Sequence, residues 1–272
     1  MKYITRRKNF LLALLAFTVL TAGVSIDNLF YKIPEQTLKL YEILGDTAKT
    51  GEFTINEFEI SALVKYSEYR EYLNSVKKDS SEAFYLSQLP DTNISADKSV
   101  YLKYISGNEY DNFPVLGISW DNAMNYCKWK TIKDNPGNNI SFVYRLPQCS
   151  EWLAAKYYLD KNNIKNDLDK NYSDWLFNTM DESVFVWSDN NESGFAYDNV
   201  YLHGQNDLRV RKRKLVIGSS FLYQQENYMS FNFSFYADQG YRQISFRYIK
   251  EYVKPGDPKS NANRLLKKWN LK

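Results

Sequence analysis

Sulfur and imidazole side chains are scarce in this sequence. Its 272 residues include two cysteines, Cys127 and Cys149, and a single histidine, His203. One histidine excludes a metal site built from several imidazoles. A zinc site made of both cysteines and His203 lacks the close ligand pairs that identify such sites. The two cysteines are equally compatible with one disulfide and with two small buried thiols.

A concentrated charge of either sign is also absent. The 35 basic and 32 acidic residues nearly balance and give a formal charge of +3. This balance argues against a dedicated nucleic-acid-binding protein, which would carry a concentrated basic field. Aromatic residues are abundant instead, with 23 Tyr, 16 Phe and 6 Trp. So much ring surface predicts one packed, tyrosine-rich domain rather than a disordered chain.

Only one long apolar run is present, and it lies near the N-terminus, from Phe10 to Val24. Basic residues precede this run and small residues follow its centre, so residues 1–26 predict a cleaved secretory signal. An uncleaved inner-membrane anchor is the alternative, because the run is near the lower length limit for a membrane span. Val24 stands where a lipoprotein would need its lipid-bearing cysteine, so lipidation is not expected. Both alternatives place the rest of the chain in the periplasm.

The remaining chain divides into three parts. Residues 27–50 predict a spacer, with a short helix over the amphipathic stretch at residues 38–44. Residues 51–253 form the predicted domain. Residues 254–272 form a basic tail, for which a frayed terminus is favoured over a docked amphipathic peptide, because so short a helix is unstable alone. The basic run at residues 209–214 predicts a solvated turn rather than an anion-docking patch.

Two strand–helix units stand out in the middle of the domain. Residues 113–118 predict a short buried strand, and Ser119 is placed to cap the helix that follows. Residues 142–146 predict a second strand, and Pro147 suits the first turn of a second helix. The inner faces of these helices carry Trp120, Ala123, Met124, Cys127, Trp152 and Leu153.

Weaker signals flank these two units. Residues 53–60 predict a strand, and Ser61 is a candidate cap for a helix that extends to Val76. The polar residues 77–93 predict a loop. The C-terminal third alternates aromatic strands with turns, and the predicted strands cover residues 184–187, 214–217, 228–236 and 244–253.

These motifs, in this order, resemble the formylglycine-generating enzyme (sulfatase-modifying factor) domain. The matching segments are Phe58–Ser61, Pro114–Trp120, Tyr144–Pro147 with Glu151 and Trp152, Val184–Trp187, Gly218–Phe221 and Ser245–Arg247. The resemblance implies an α+β fold related to C-type lectins, with short strands, few helices and much ordered loop. It also implies structural roles for Trp120, Arg145, Pro147, Trp152, Trp187, Gly218 and Arg247.

The same resemblance implies that the catalytic chemistry is lost. Active members bind copper through a cysteine pair shortly after the turn that corresponds to Gly218–Phe221. Those positions fall at about Tyr223 and Tyr228, and a phenol cannot replace a thiolate as a Cu(I) ligand. The branch that holds iron with histidines has only His203 available, and the glutamate that helps to hold calcium corresponds to Val186. We therefore expect a pseudoenzyme with no cofactor and no metal.

Within the family, the chain resembles the gliding-motility and type IX secretion proteins of Bacteroidetes. The similar segments run from Leu89 to Tyr104 and from Tyr110 to Asp121. This resemblance implies a periplasmic structural or interaction component whose partners are other envelope proteins. A carbohydrate- or peptide-binding lectin-like module is the alternative, and a copper-dependent formylglycine-generating oxidoreductase is disfavoured. The candidate ligand or partner surface is the former active-site turn, with Tyr223, Gln224, Gln225, Glu226 and Tyr228.

Overall fold

The fold was obtained as a computed structural model, which describes residues 30–39, 51–137, 139–164, 184–191, 213–218, 233–258 and 260–271. The strands in these ranges are β1 Phe30–Ile33, β2 Gln36–Lys39, β3 Glu52–Ile55, β4 Phe58–Ser61, β5 Phe142–Arg145, β6 Phe185–Asn191, β7 Arg213–Ile217, β8 Ser234–Tyr236, β9 Ile244–Ser245 and β10 Ile249–Tyr252. The α-helices are α1 Tyr66–Asp79, α2 Glu82–Ser87, α3 Lys98–Ser106, α4 Trp120–Asp134, α5 Cys149–Lys161 and α6 Asn261–Trp269. The expected α+β class with short strands is confirmed.

The first sheet has the antiparallel order β1-β4-β10-β5. Strand β1 pairs with β4 from Phe30 opposite Ser61 to Ile33 opposite Phe58. Strands β2 and β3 form a separate antiparallel hairpin. The predicted spacer is therefore wrong over residues 30–39, which belong to the domain. The predicted helix at residues 38–44 is wrong at Leu38, which is buried in β2.

The second sheet has the order β8-β7-β6-β9, in which only the β6–β9 pair is parallel. Strands β6 and β7 confirm the strands predicted at residues 184–187 and 214–217. The strand predicted at residues 244–253 is wrong as one element, because β9 belongs to the second sheet and β10 to the first. The chain crosses between the sheets at residues 246–248, where the fully buried Arg247 donates a hydrogen bond to the Ser61 carbonyl at 3.1 Å.

The two central helices begin with defined caps. The Ser119 hydroxyl accepts a hydrogen bond from the Asn122 amide at 3.1 Å, which confirms the predicted cap of α4. The Glu151 carboxylate accepts one from the Gln148 amide at 2.7 Å at the start of α5. Since α5 begins at Cys149, the placement of Pro147 in its first turn is wrong: the proline lies two residues earlier.

Three smaller predictions are also wrong. Helix α1 begins at Tyr66, so Ser61 ends β4 instead of capping the helix. The predicted loop at residues 77–93 contains the short helix α2, which Ser81 caps. The segment at residues 113–118 makes one isolated bridge, between Pro114 and Lys65, instead of a strand.

The tail also folds, contrary to the predicted frayed terminus. Ser260 caps α6, and the helix buries Ala262 and Leu265 against β5 and β10. Packing of this apolar face supplies the stability that so short a helix lacks alone. Among the described residues, no helix is long and apolar enough to cross a bilayer.

Two hydrophobic clusters form the core. The tyrosine cluster lies among α1, α3, α4 and β5, and nine of its buried side chains are tyrosines: Tyr66, Tyr69, Tyr72, Tyr101, Tyr104, Tyr110, Tyr126, Tyr144 and Tyr248. The aliphatic cluster surrounds α5 and includes Ile33, Leu38, Ile60, Trp152, Leu153, Leu159, Leu215 and Ile217. Because α5 contacts β1 of the first sheet and β6 and β7 of the second, it joins the two sheets.

Candidate functional site

The former active-site turn starts at the end of β7. Gly218 has a φ of +90°, a backbone conformation that favours glycine. A Cβ atom on Gly218 would lie 3.8 Å from Cζ2 of Trp152 and 3.7 Å from the Val184 carbonyl. Residues 219–232 lie outside the described residues. The candidate surface at Tyr223, Gln224, Gln225, Glu226 and Tyr228 therefore stays a prediction, as does the loop position of His203.

Two tryptophans fix the surroundings of this turn. The Trp120 indole donates a hydrogen bond to the Ser188 carbonyl at 2.9 Å, and the Trp187 indole donates one to the Ile118 carbonyl at 2.7 Å. These bonds tie α4 and the segment before it to β6. Trp152 differs, because its buried indole Nε1 has no hydrogen-bond partner among the described residues. The Cζ2 edge next to this nitrogen faces Gly218, so an unused donor lies at the start of the turn.

A partly buried lysine lies close to Trp120. The Lys214 ammonium lies 4.0 Å from the centre of the Trp120 ring and 3.5 Å from the Asp189 carboxylate. Burial lowers the pKa of Lys214, although the charge of Asp189 acts in the opposite direction. Lys214 belongs to the predicted basic run, but its ammonium group contacts the Trp120 ring and the Asp189 carboxylate instead of pointing into solvent.

The two cysteines are buried free thiols and do not form a disulfide. Cys127 lies on α4 in the tyrosine cluster, and Cys149 lies at the first position of α5 in the aliphatic cluster. The Cys149 sulfur is 3.5 Å from the Ser188 hydroxyl. Burial raises the pKa of Cys149 to about 12 and raises that of Cys127 further. Neither thiol ionises near neutral pH.

The residues do not fit the metals that active members hold. Copper would need two neighbouring thiolates, and the chain's only cysteines are protonated and belong to different clusters. Val186, at the position of the calcium-binding glutamate, is buried in the aliphatic cluster, and its side chain has no oxygen to offer. Among the described residues, no group of three or more His, Cys, Asp or Glu side chains is placed to hold a metal ion.

A buried charge cluster lies at the edge of the aliphatic cluster. The Arg145 guanidinium donates hydrogen bonds to both oxygens of Glu151, at 2.8 and 2.5 Å, and from Nε to Glu251 at 2.5 Å. The other oxygen of Glu251 accepts bonds from the Ser260 hydroxyl and the Ala262 amide at 3.1 and 2.9 Å. This cluster, called the arginine trio below (Arg145, Glu151 and Glu251), joins β5, α5 and β10 to the start of α6.

The charges of the trio are strongly coupled. Burial alone would lower the pKa of Arg145, but the two carboxylates raise it above its ordinary value. Burial alone would raise the pKa of Glu251, but Arg145 and the hydrogen bonds lower it. One cation between two anions leaves one excess negative charge.

A cleft of about 1200 Å³ opens beside this trio. Its walls come from the β1–β2 and β3–β4 turns, from α5, and from the segment between β10 and α6. Sequence reasoning missed this cleft, because its residues come from separate segments of the chain that no motif connects. Only the strand register shows that Glu59 and Lys250, which are far apart in the sequence, are neighbours in the cleft.

Solved structures of similar fold exist at low sequence identity. "Crystal Structure of CarF" matches with a TM-score of 0.55 and 13% identity, over 84% of this chain and 99% of that chain. PvdO from Pseudomonas aeruginosa (TM-score 0.46, 13% identity, 82% of this chain, 94% of that chain) and Treponema denticola variable protein 1 (0.47, 12%, 84%, 96%) are also similar. The likeness to CarF supports the fold. No curated protein matches the sequence.

The family model described as "Sulfatase-modifying factor enzyme 1-like domain" matches residues 42–210, more than half of the sequence. The motif order, the fold and this match agree, and the chain belongs to the sulfatase-modifying factor enzyme 1-like family.

Proposed function

We propose that this chain is a non-catalytic member of its family and acts as a periplasmic structural or interaction component of the cell envelope. The observation that carries the proposal is the state of the two cysteines. Each is fully buried in a separate hydrophobic cluster, and burial raises the pKa of both thiols. The chain therefore has no thiolate pair for the copper chemistry that the family resemblance implies.

The finer assignment is a gliding-motility or type IX secretion assembly. It rests on the resemblance of residues 89–104 and 110–121 to such proteins. Exposed apolar side chains lie in and just before these segments: Leu102 on α3, and Phe84 and Leu86 on α2, with exposed fractions of 48, 39 and 55%. Exposed apolar side chains close in sequence suit contact with a protein partner. The predicted N-terminal signal or anchor supplies the envelope location.

A lectin-like module that binds a carbohydrate or a peptide is the second candidate. The indole N–H of Trp152 beside Gly218 favours it, because this buried donor has no partner among the described residues and lies at the start of the turn. In this alternative, Tyr223 and Tyr228 would supply aromatic faces and Gln224 and Gln225 would supply amide groups.

A formylglycine assay tests the non-catalytic assignment. The full-length protein is incubated aerobically with copper and a Cys-containing sulfatase peptide, beside a family member that has the cysteine pair. We expect the second protein to convert the peptide and this chain to give only the blank level. Any turnover above blank overturns the assignment.

Affinity purification from envelope extracts tests the interaction role. We expect envelope proteins to co-purify in a fixed stoichiometry. Recovery of no partner, together with binding on a glycan array, would favour the lectin-like module instead.

A further inference from the structure

The cleft beside the arginine trio lies where two central strands of the first sheet separate. Strand β10 pairs with β5 at four positions but with β4 at only two, Ile249 with Ile60 and Lys250 with Glu59. Residues two apart on a strand direct their main-chain groups to the same side. The Ser61 amide donates to Tyr248, and the next pairs in this register would be Glu59 with Lys250 and then Glu57 with Tyr252. Glu57 precedes β4 and this last pair is not formed, so the main-chain groups of Glu57 and Tyr252 border the cleft unpaired with each other.

Charge in the cleft is unbalanced. Four cations line it: Lys32, Arg145, Lys250 and Lys254. Six carboxylates line it: Glu35, Glu57, Glu59, Glu151, Glu251 and Asp257. Arg145 is fully used by the two carboxylates of its trio, and Lys250 lies 3.9 Å from Glu59. The cleft therefore presents a negative field to a ligand.

Apolar and aromatic surface accompanies this field. Ile55, Phe58 and Tyr158 line the walls, and Tyr252 at the rim is 53% exposed. The Lys250 ammonium already lies 5.2 Å from the centre of the Tyr252 ring. The exposed face of the Tyr252 ring at the rim of the cleft suits the cationic or aliphatic part of a ligand side chain.

We propose that this cleft binds a basic, extended segment of a polypeptide partner. The volume of about 1200 Å³ exceeds the ~300–1,000 Å³ of ordinary small-molecule sites. The main-chain groups of Glu57 and Tyr252 provide donors and acceptors to which an extended peptide can hydrogen-bond. The excess of carboxylates selects Lys and Arg side chains, whereas a neutral oligosaccharide gains nothing from it. The inference rests on the proposed function, since it supposes that the chain acts by binding a partner.

A positional-scanning library of capped eight-residue peptides tests this proposal with the full-length protein. We expect pools with a fixed Lys or Arg to bind at least about tenfold more tightly than pools with a fixed Glu. Binding should weaken as salt rises. Equal binding of Lys and Glu pools, or no binding by any pool, overturns the proposal.

Matched variants locate the binding. Glu35→Gln with Glu57→Gln removes two exposed cleft carboxylates and should weaken Lys pools about three- to tenfold. Glu82→Gln with Glu109→Gln removes the same charge from exposed positions outside the cleft lining and should leave affinity unchanged. Equal losses of peptide affinity in both variants would overturn the assignment of the site. The oligosaccharide chitohexaose serves as a neutral ligand, and if it binds and the cleft variant abolishes that binding, the proposal is also overturned.

The two proposals fail separately. A cleft that binds no basic peptide leaves the formylglycine result unchanged. Turnover in that assay overturns the non-catalytic assignment whatever the peptides do.

Discussion

The tyrosine cluster and the aliphatic cluster differ in where their polar atoms lie. In the tyrosine cluster, phenol hydroxyls lie among the packed rings and form hydrogen bonds within the fold. The hydroxyls of Tyr69 and Tyr72 donate to Gln88 at 2.8 Å, and that of Tyr104 accepts from the Leu116 amide at 2.8 Å. The aliphatic cluster contains mostly hydrocarbon, and its charged groups gather at one edge, in the arginine trio beside the cleft.

The two clusters therefore use their polar groups for different ends. Ring contacts fix the tyrosine cluster, for example Tyr66 with Tyr104 at 4.6 Å and Tyr126 with Phe246 at 5.2 Å between ring centres. Such packing holds the rings in defined orientations. At the edge of the aliphatic cluster, carboxylates line the cleft, so we expect ligand binding there.

The largest expected effect is on the trio. Arg145→Met leaves Glu151 and Glu251 without their cation and should lower the free energy of unfolding by about 3–5 kcal/mol. Urea unfolding followed by tryptophan fluorescence measures the change. Lys133→Met is the control, because its ion pair with Glu71 is exposed and its loss should change stability little. Equal, small losses in both variants would contradict a structural role for the trio.

A smaller loss is expected from one hydroxyl of the tyrosine cluster. Tyr104→Phe leaves the Leu116 amide without its acceptor and should cost about 1–3 kcal/mol of unfolding free energy. The same deletion in Tyr252→Phe, at a half-exposed ring, should have almost no effect. The same urea titration compares the two. A neutral Tyr104→Phe would mean that the cluster is held by ring packing alone.

Two carboxylates should give opposite pH dependences. The charge of Arg145 keeps the pKa of Glu251 below its ordinary value of 4.5, so its stabilisation is present above pH 4.5 and is lost as the pH falls through the lowered pKa. Burial raises the pKa of Glu68, beside the tyrosine cluster, so the folded state binds this proton more tightly and loses stability as the pH rises above 4.5.

Unfolding free energies of two variants, measured on both sides of pH 4.5, check these signs, since the Glu251 shift acts below that pH and the Glu68 shift above it. Glu251→Gln should lose stability at neutral pH and flatten the acid limb. Glu68→Gln should gain stability at neutral pH, because the glutamine oxygen can still accept the Lys65 amide. A change in the same direction for both variants would contradict the comparison.

The smallest effect concerns the thiols. In the folded protein at pH 8, a disulfide reagent should label neither cysteine, since burial raises both pKa values well above that pH. With low urea, Cys149 at the first position of α5 should react before Cys127 in the middle of α4, because helix ends open first. Mass spectrometry identifies the labelled residue. Rapid labelling of either thiol without urea would also weaken the non-catalytic assignment.

Sequence reasoning worked where local signals dominate. The Ser119 cap, the inner stripe of α4 and strands β5, β6 and β7 follow from short-range periodicity and capping. It failed where distant packing decides. The tail helix α6 is stable because it packs on β5 and β10 and buries Leu265, and β1 is a strand because it pairs with β4.

The sequence by itself determined the family, the α+β class and the shortage of metal ligands, because motif order and residue counts do not depend on folding. Only the tertiary structure decided that both cysteines are buried apart from each other, that residues 30–39 belong to the domain, and that β4 and β10 separate beside the arginine trio. These features depend on contacts between residues far apart in the chain, such as Arg145 with Glu251. No local sequence pattern encodes such contacts, because they stabilise the protein only after folding has brought the distant segments together.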